Sequence, residues 1–198
     1  MSALLQQLNQ LFASGRYSEI LRISNDHSVT PGTDPEVAKL TAAAYFCTGE
    51  HSKAFNLLVE LESTFGHTAD FLSLFAATCR RVGEFKKAED LFQRALKISP
   101  DSPPVRNNYA NLLIDLNRFD EASALLEAVL KENPTYSDAL SNKNRLAAAI
   151  DNSLNSNSSP SPDQSFNLND PLLLSFAEDE VNYSNKRYFP KRSLSNSS

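Results

Sequence analysis

With 198 residues, the chain is long enough for one domain with a sizeable core plus an appendage. Its 24 acidic against 19 basic residues leave a formal charge of −5, without the basic stripe or domain of a nucleic-acid binder. Cys47 and Cys79 are the only cysteines and form no CxxC, which favours a reducing compartment over a disulfide framework. No run approaches the roughly 18 apolar residues of a membrane helix. Residues 1–17 lack the early Lys or Arg and the apolar stretch of a secretory leader, so a cytoplasmic location is expected.

The five glycines, Gly15, Gly32, Gly49, Gly66 and Gly83, stand seventeen residues apart, and the same count lands on Pro100, Asn117, Pro134 and Asp151. Glycine and asparagine tolerate the left-handed conformation that ends a helix, and proline stops one. Such spacing predicts helices of about three turns separated by short turns.

In chain order the helices pair into four units, 1–34, 35–68, 69–102 and 103–136, with no insertion between them. The last residues of the first three, Asp34, Thr68 and Ser102, are good N-caps for the helix that follows, and Pro35 and Pro103 suit a first helical position. Small residues recur at the eighth place (Ala42, Ala76, Ala110) and at the twentieth (Ala54, Ala88, Ala122), where two helices of a hairpin can approach closely. Larger ones fill the seams: Leu11, Tyr45 and Leu113 in first helices, Leu58, Phe92 and Leu126 in second helices. The first unit departs late, with Ser24 and His27 where apolar residues belong, so its second helix is expected to end near Asn25. Residues 137–150, with Leu140, Leu146, Ala147 and Ile150, read as a helix capping the last apolar face.

These units resemble tetratricopeptide repeats, whose signature has small residues at positions eight and twenty, glycine at fifteen and proline at thirty-two. The best stretch is Gly83 to Ala88 with Phe92, Ala95 and Pro100, followed by Asn117 to Ala122 with Pro134. The resemblance covers about residues 1–136. It implies an all-α, right-handed α-solenoid of four helix-turn-helix repeats plus a C-terminal capping helix, a domain over 1–151.

From Asn152 the pattern stops: twenty of the last 47 residues are Ser or Asn. Such a tail, 152–198, buries too little apolar area to offset its ordering entropy and is expected to be disordered. Within it, residues 170–181 combine an N-cap carboxylate, proline, Leu172, Leu173, Phe176 and an acidic run, the composition of a short recognition element, and 186–192 is a basic aromatic one. Self-docking of the tail on the chain's own groove is one outcome to test.

The residues point away from catalysis. His27, His51 and His67 sit near helix ends in no HxxxH or HExxH frame, so no metal is expected, and no glycine-rich phosphate loop exists, so no cofactor is expected. Cys79 precedes two arginines but occupies the packing slot of Leu11 and Leu113. The expected function is a non-enzymatic scaffold or adaptor. The alternatives are an accessory, substrate-binding module for a transferase supplied in trans and a homo-oligomerising assembly factor.

The resemblance implies a concave groove lined by positions two, five, nine, twelve and thirteen of first helices. Those positions hold Leu5, Asn9, Phe12, Glu36, Lys39, Phe46, Cys47, Asp70, Ser73, Ala77, Arg80, Arg81, Asn107, Asn111, Ile114 and Asp115. Lys39, Arg80, Arg81, Asn107 and Asn111 would form a polar strip for an extended, acidic peptide, since Arg pairs carboxylates bidentately and Asn can clamp a peptide backbone. Of the family's chaperone-binding carboxylate clamp only Lys39 matches; Ala43, Ala77, Pro104 and Asn108 depart from it. The asparagine ladder of sugar-transferring relatives is absent from the sixth-position column Gln6, Leu40, Leu74 and Asn108.

Overall fold

A computed structural model of the chain describes residues 3–157. The appendage from 158 onward, with the elements read at 170–181 and 186–192, lies outside the described residues. Among those described, the regular elements are α-helices: α1 (Ala3–Ala13), α2 (Tyr17–Asp26), α3 (Pro35–Cys47), α4 (His51–Phe65), α5 (Ala69–Val82), α6 (Phe85–Ile98), α7 (Pro103–Asp115), α8 (Phe119–Glu132) and α9 (Ser137–Asn157). They form four hairpins, α1–α2, α3–α4, α5–α6 and α7–α8, plus a ninth helix, within a unit spanning Met1–Asn155. The second helix of the first hairpin ends at Asp26, as its polar finish suggests. The last helix runs past Ile150 to Asn157, beyond the apolar positions by which the sequence defines it.

The seventeen-residue punctuation turns out to be two alternating kinds of turn. Within each hairpin, Gly15, Gly49, Gly83 and Asn117 take φ of 71°, 83°, 87° and 57°, the left-handed region. The residue after each one donates its N–H five residues back, from Arg16 to Leu11 (2.9 Å), Glu50 to Tyr45 (2.9 Å), Glu84 to Cys79 (2.9 Å) and Arg118 to Leu113 (2.8 Å). This is the Schellman bond, which satisfies a carbonyl the helix end leaves open. Between hairpins the breakers act differently. Gly66 has φ of −63°, and a Cβ there would lie 2.5 Å from the Glu62 carbonyl oxygen, so close approach rather than backbone freedom requires glycine.

Helix starts are less uniform than the cap residues suggest. Asp34 Oδ1 accepts from the Val37 N–H at 3.1 Å, a proper cap. The Thr68 hydroxyl instead donates backwards to the Phe65 carbonyl at 3.0 Å, and Ser102 makes no side-chain cap bond, leaving that start to Pro103.

Packing follows the small-residue columns. Ala42, Ala76 and Ala110, with Ala54, Ala88 and Ala122, are all fully buried in the second, third and fourth hairpins, while the first has the larger, equally buried Leu8 and Ile20 at these positions. The main core joins α3 to α9 and includes Leu58, Phe75, Phe92, Leu113, Leu126 and, from α9, Ala139 and Leu146. A smaller, separate core of Leu8, Leu11, Ile20, Val37 and Ala44 holds the first hairpin.

Candidate functional site

First helices stack side by side, so their outward positions line a furrow. Three adjoining concavities follow it. One of about 470 Å³ lies between α1 and α3 (Leu5, Asn9, Glu36, Lys39, Leu40). The next, about 550 Å³, adds Phe12, Ala43, Asp70, Phe71 and Leu74. The third, about 240 Å³, continues from Asp70 and Leu74 to Phe46, Ser73, Ala77, Pro104, Val105 and Asn108. Neighbouring concavities share wall residues, which makes one furrow across α1, α3, α5 and α7.

Leu5, Asn9, Phe12, Glu36, Lys39, Phe46, Asp70, Ser73 and Ala77 line it as expected from their positions. Leu40, Leu74 and Asn108, all at the sixth position of a unit, line it too and do not belong to the expected column set. The signal was present in the sequence: two leucines in a column that a sealed helix–helix contact did not need.

The five polar candidates are not brought together as one strip. Lys39 lines two of the three concavities. Its Nζ pairs with Glu36 at 2.6 Å and lies 4.3 Å from the centre of the Phe65 ring, with about a third of its side chain exposed (35%). Arg80 donates to Asp115 at 2.6 Å, and its side chain is only 13% exposed. Asp115 also pairs with Arg145 of α9, so one carboxylate holds two guanidinium groups. Asn107 is buried and accepts from the Asn142 side-chain amide at 2.8 Å. Asn111 accepts from Arg145 at 2.9 Å. Arg81 is exposed at the last turn of α5.

These bonds follow one register. Asn108 donates to Ser73 (3.2 Å), Asn142 to Asn107 and Arg80 to Asp115, each across 35 positions. The α9 helix thus contacts α7 as the first helix of a fifth unit would, and its Asn142 and Arg145 engage the side-chain oxygens of Asn107, Asn111 and Asp115. The column reading missed this because a candidate's partner sits one unit further on, in a helix identified by its apolar residues alone.

The titratable groups offer little for chemistry. Burial pushes the Cys79 thiol up to about 12, so it stays protonated as a packing residue. Cys47 is exposed, and its pKa is raised by partial burial against a hydrogen bond to Tyr17 that lowers it. His51 is lowered, by burial first and then by the charges of Arg81 and Arg80; its Nδ1 is enclosed without a hydrogen-bond partner. Among the described residues, no three His, Cys, Asp or Glu side chains converge as metal ligands would. No described helix is long and apolar enough to cross a membrane.

Stacked hairpins with small residues at their crossings, closed by a further first-type helix and open along a furrow of first-helix side chains, define an all-α helical-repeat solenoid. The family model described as "Tetratricopeptide repeat" matches residues 81–149. That stretch is similar in sequence to tetratricopeptide repeats, and the helical solenoid extends the same architecture over the other hairpins. Solved structures with the same fold include the tetratricopeptide domain of Arabidopsis OM64, at 24% identity over 57% of this chain and 93% of that one, TM-score 0.52. MamA AMB-1 aligns at 20% identity over 79% of this chain and 96% of its own, TM-score 0.59. YrrB, described as a TPR protein with an unusual peptide-binding site, aligns at 17% identity over 75% and 77%, TM-score 0.55. No curated protein matches the sequence significantly.

Proposed function

We propose that the protein is a non-enzymatic interaction scaffold of a reducing, cytoplasmic compartment, and that it binds a peptide segment of a partner in the furrow between α1 and α7. The observation that carries this reading is the furrow's composition. Leu5, Phe12, Leu40, Phe46 and Leu74 are apolar yet only partly buried, and they alternate with Asn9, Lys39, Asp70 and Asn108. Apolar walls with a few placed polar groups are what peptide recognition needs: side chains enter for affinity, and amide and charged groups fix direction. That YrrB carries a peptide-binding site supports the same use of this fold.

The contacts fall on the N-terminal part of the furrow. Lys39 is the cation a peptide carboxylate would meet there, in exchange with Glu36, and exposed Arg81 is a second cation. Arg80, Asn107 and Asn111 are tied to Asp115, Asn142 and Arg145 and would take a smaller part in binding. Affinity capture with the intact chain, compared with Leu74→Arg and Lys39→Glu, tests the reading. The captured partners should be lost with Leu74→Arg and reduced with Lys39→Glu. Capture unchanged in both variants, with both folded, would move the interaction off the furrow.

A further inference from the structure

The hairpins meet their neighbours through a repeated pair of positions, seventeen residues apart: the twenty-fourth place of one unit and the seventh of the next. At the third junction the pair is Phe92 and Tyr109, rings stacked with centroids 5.4 Å apart. At the second it is Leu58 and Phe75, both fully buried. At the first junction the pair is Ser24 and Thr41, two hydroxyls bonded at 2.8 Å. Two large apolar side chains are therefore missing from a slot filled at the other two junctions. A cleft of about 360 Å³ opens there, between α2, α3 and α4. It shares no wall residue with the furrow, which is built from first helices.

The cleft has a polar floor and apolar sides. Thr41 Oγ1 is also within hydrogen-bonding distance, 2.8 Å, of the Val37 carbonyl oxygen. Either hydroxyl can be the donor in the Ser24–Thr41 bond, so the floor is a hydroxyl pair able to accept or to donate. Leu21, Val29, Leu57 and the Tyr45 ring form the sides. At the mouth, Asn25 and Asn56 are exposed. Lys53 also borders the mouth, its Nζ held by Glu50 at 2.5 Å and 5.3 Å from the Tyr45 ring centre.

We propose that this cleft is a second binding site, specific for a tyrosine side chain presented by a partner peptide. At the third junction the same slot holds the stacked rings of Phe92 and Tyr109, so the slot left by two small hydroxyls has room for a ring. The floor is a hydroxyl pair, so the inserted tip has to be a hydrogen-bonding group, which a phenol is and a phenylalanine ring is not. A hydroxyl pair covered by an inserted ring and left without a partner is costly, which makes the phenol hydroxyl a selective feature rather than a tolerated one. Asn25 and Asn56 each carry a donor and an acceptor for the peptide bonds on either side of the tyrosine.

The test is a titration of the intact protein followed by amide NMR shifts, with N-acetyltyrosinamide, N-acetylphenylalaninamide and p-cresol as probes. The tyrosine amide should produce saturable shifts at residues 21–29 and 53–57 and bind at least several-fold more tightly than the phenylalanine amide. Ser24→Leu, which restores the side chain found at the equivalent Leu58, should abolish those shifts while keeping the far-UV circular dichroism of the helices. Ser24→Ala disturbs packing less, and it should reduce the preference for the tyrosine amide over the phenylalanine amide. Absence of saturable shifts, equal binding of the two amides to the unaltered protein, or undiminished binding to folded Ser24→Leu would overturn the proposal. Binding of p-cresol without the tyrosine amide would overturn a peptide as the source of the phenol.

Discussion

The first and last hairpins meet the rest of the solenoid in different ways. The last is followed by α9, which adds Ala139 and Leu146 to the main core and ties Asn142 and Arg145 to Asn107, Asn111 and Asp115. The first has its own small core and meets the second hairpin across two hydroxyls instead of two large apolar side chains. The last end engages side-chain oxygens of Asn107, Asn111 and Asp115 internally; the first junction keeps a shared apolar core with Val37 and Ala44 of α3 but pairs two hydroxyls beside a cleft. Repetition thus sets the architecture, and departures from repetition create surface free to bind.

The comparison can be broken most directly by substituting the same slot at two junctions. Phe92→Ala removes a fully buried ring and should lower unfolding free energy by about 3–5 kcal/mol. Ser24→Ala, at the equivalent place, leaves Thr41 bonded to the Val37 carbonyl and should cost under about 1.5 kcal/mol. Denaturant midpoints at constant slope would compare them; equal losses would mean the first junction is packed like the others.

Asp115→Ala should cost about 1–3 kcal/mol by leaving the largely buried Arg80 guanidinium without its acceptor. Because the same carboxylate holds Arg145, α9 should loosen with it, seen as an early loss of helical signal in thermal melts. An unchanged melt would reduce that network to surface decoration.

Ala88→Leu should also cost about 1–3 kcal/mol, since Ala88 is fully buried at a hairpin crossing. Ala148→Leu, on the exposed side of α9, should stay within about 0.5 kcal/mol. Similar effects at the two sites would place the register of the small-residue columns in error.

The smallest effect is on pH. Burial, then the charges of Arg81 and Arg80, lower the His51 pKa from 6.5 in the folded chain. The unfolded chain therefore binds this proton more readily, and stability present above about 6.5 is lost as pH falls below it. His51→Gln should flatten that part of the stability–pH curve; a steeper acid limb in the variant would reverse the sign of the coupling.

The periodic glycines, the alanine columns and the hairpin count were legible because each follows from local backbone and packing demands at fixed spacing. The distinction between Gly83 and Gly66 was not, since left-handed φ and a close carbonyl select the same residue for different reasons. Lys39 was legible as a furrow residue from its column. The engagement of Arg80, Asn107 and Asn111 was not, because it depends on polar partners one unit further along. Ser24 showed itself in the sequence as an irregularity of an end repeat; its meaning needed the equivalent pairs Leu58–Phe75 and Phe92–Tyr109 side by side.

Native-state amide hydrogen exchange on the intact chain tests the difference between the two ends most directly, because it reads local opening helix by helix. Amides around Leu8, Leu11 and Ile20 should exchange through an opening of lower free energy than those around Leu112, Leu113 and Ala122, although all are buried. Equal protection at the two sets, or earlier exchange in α7 and α8, would contradict the account.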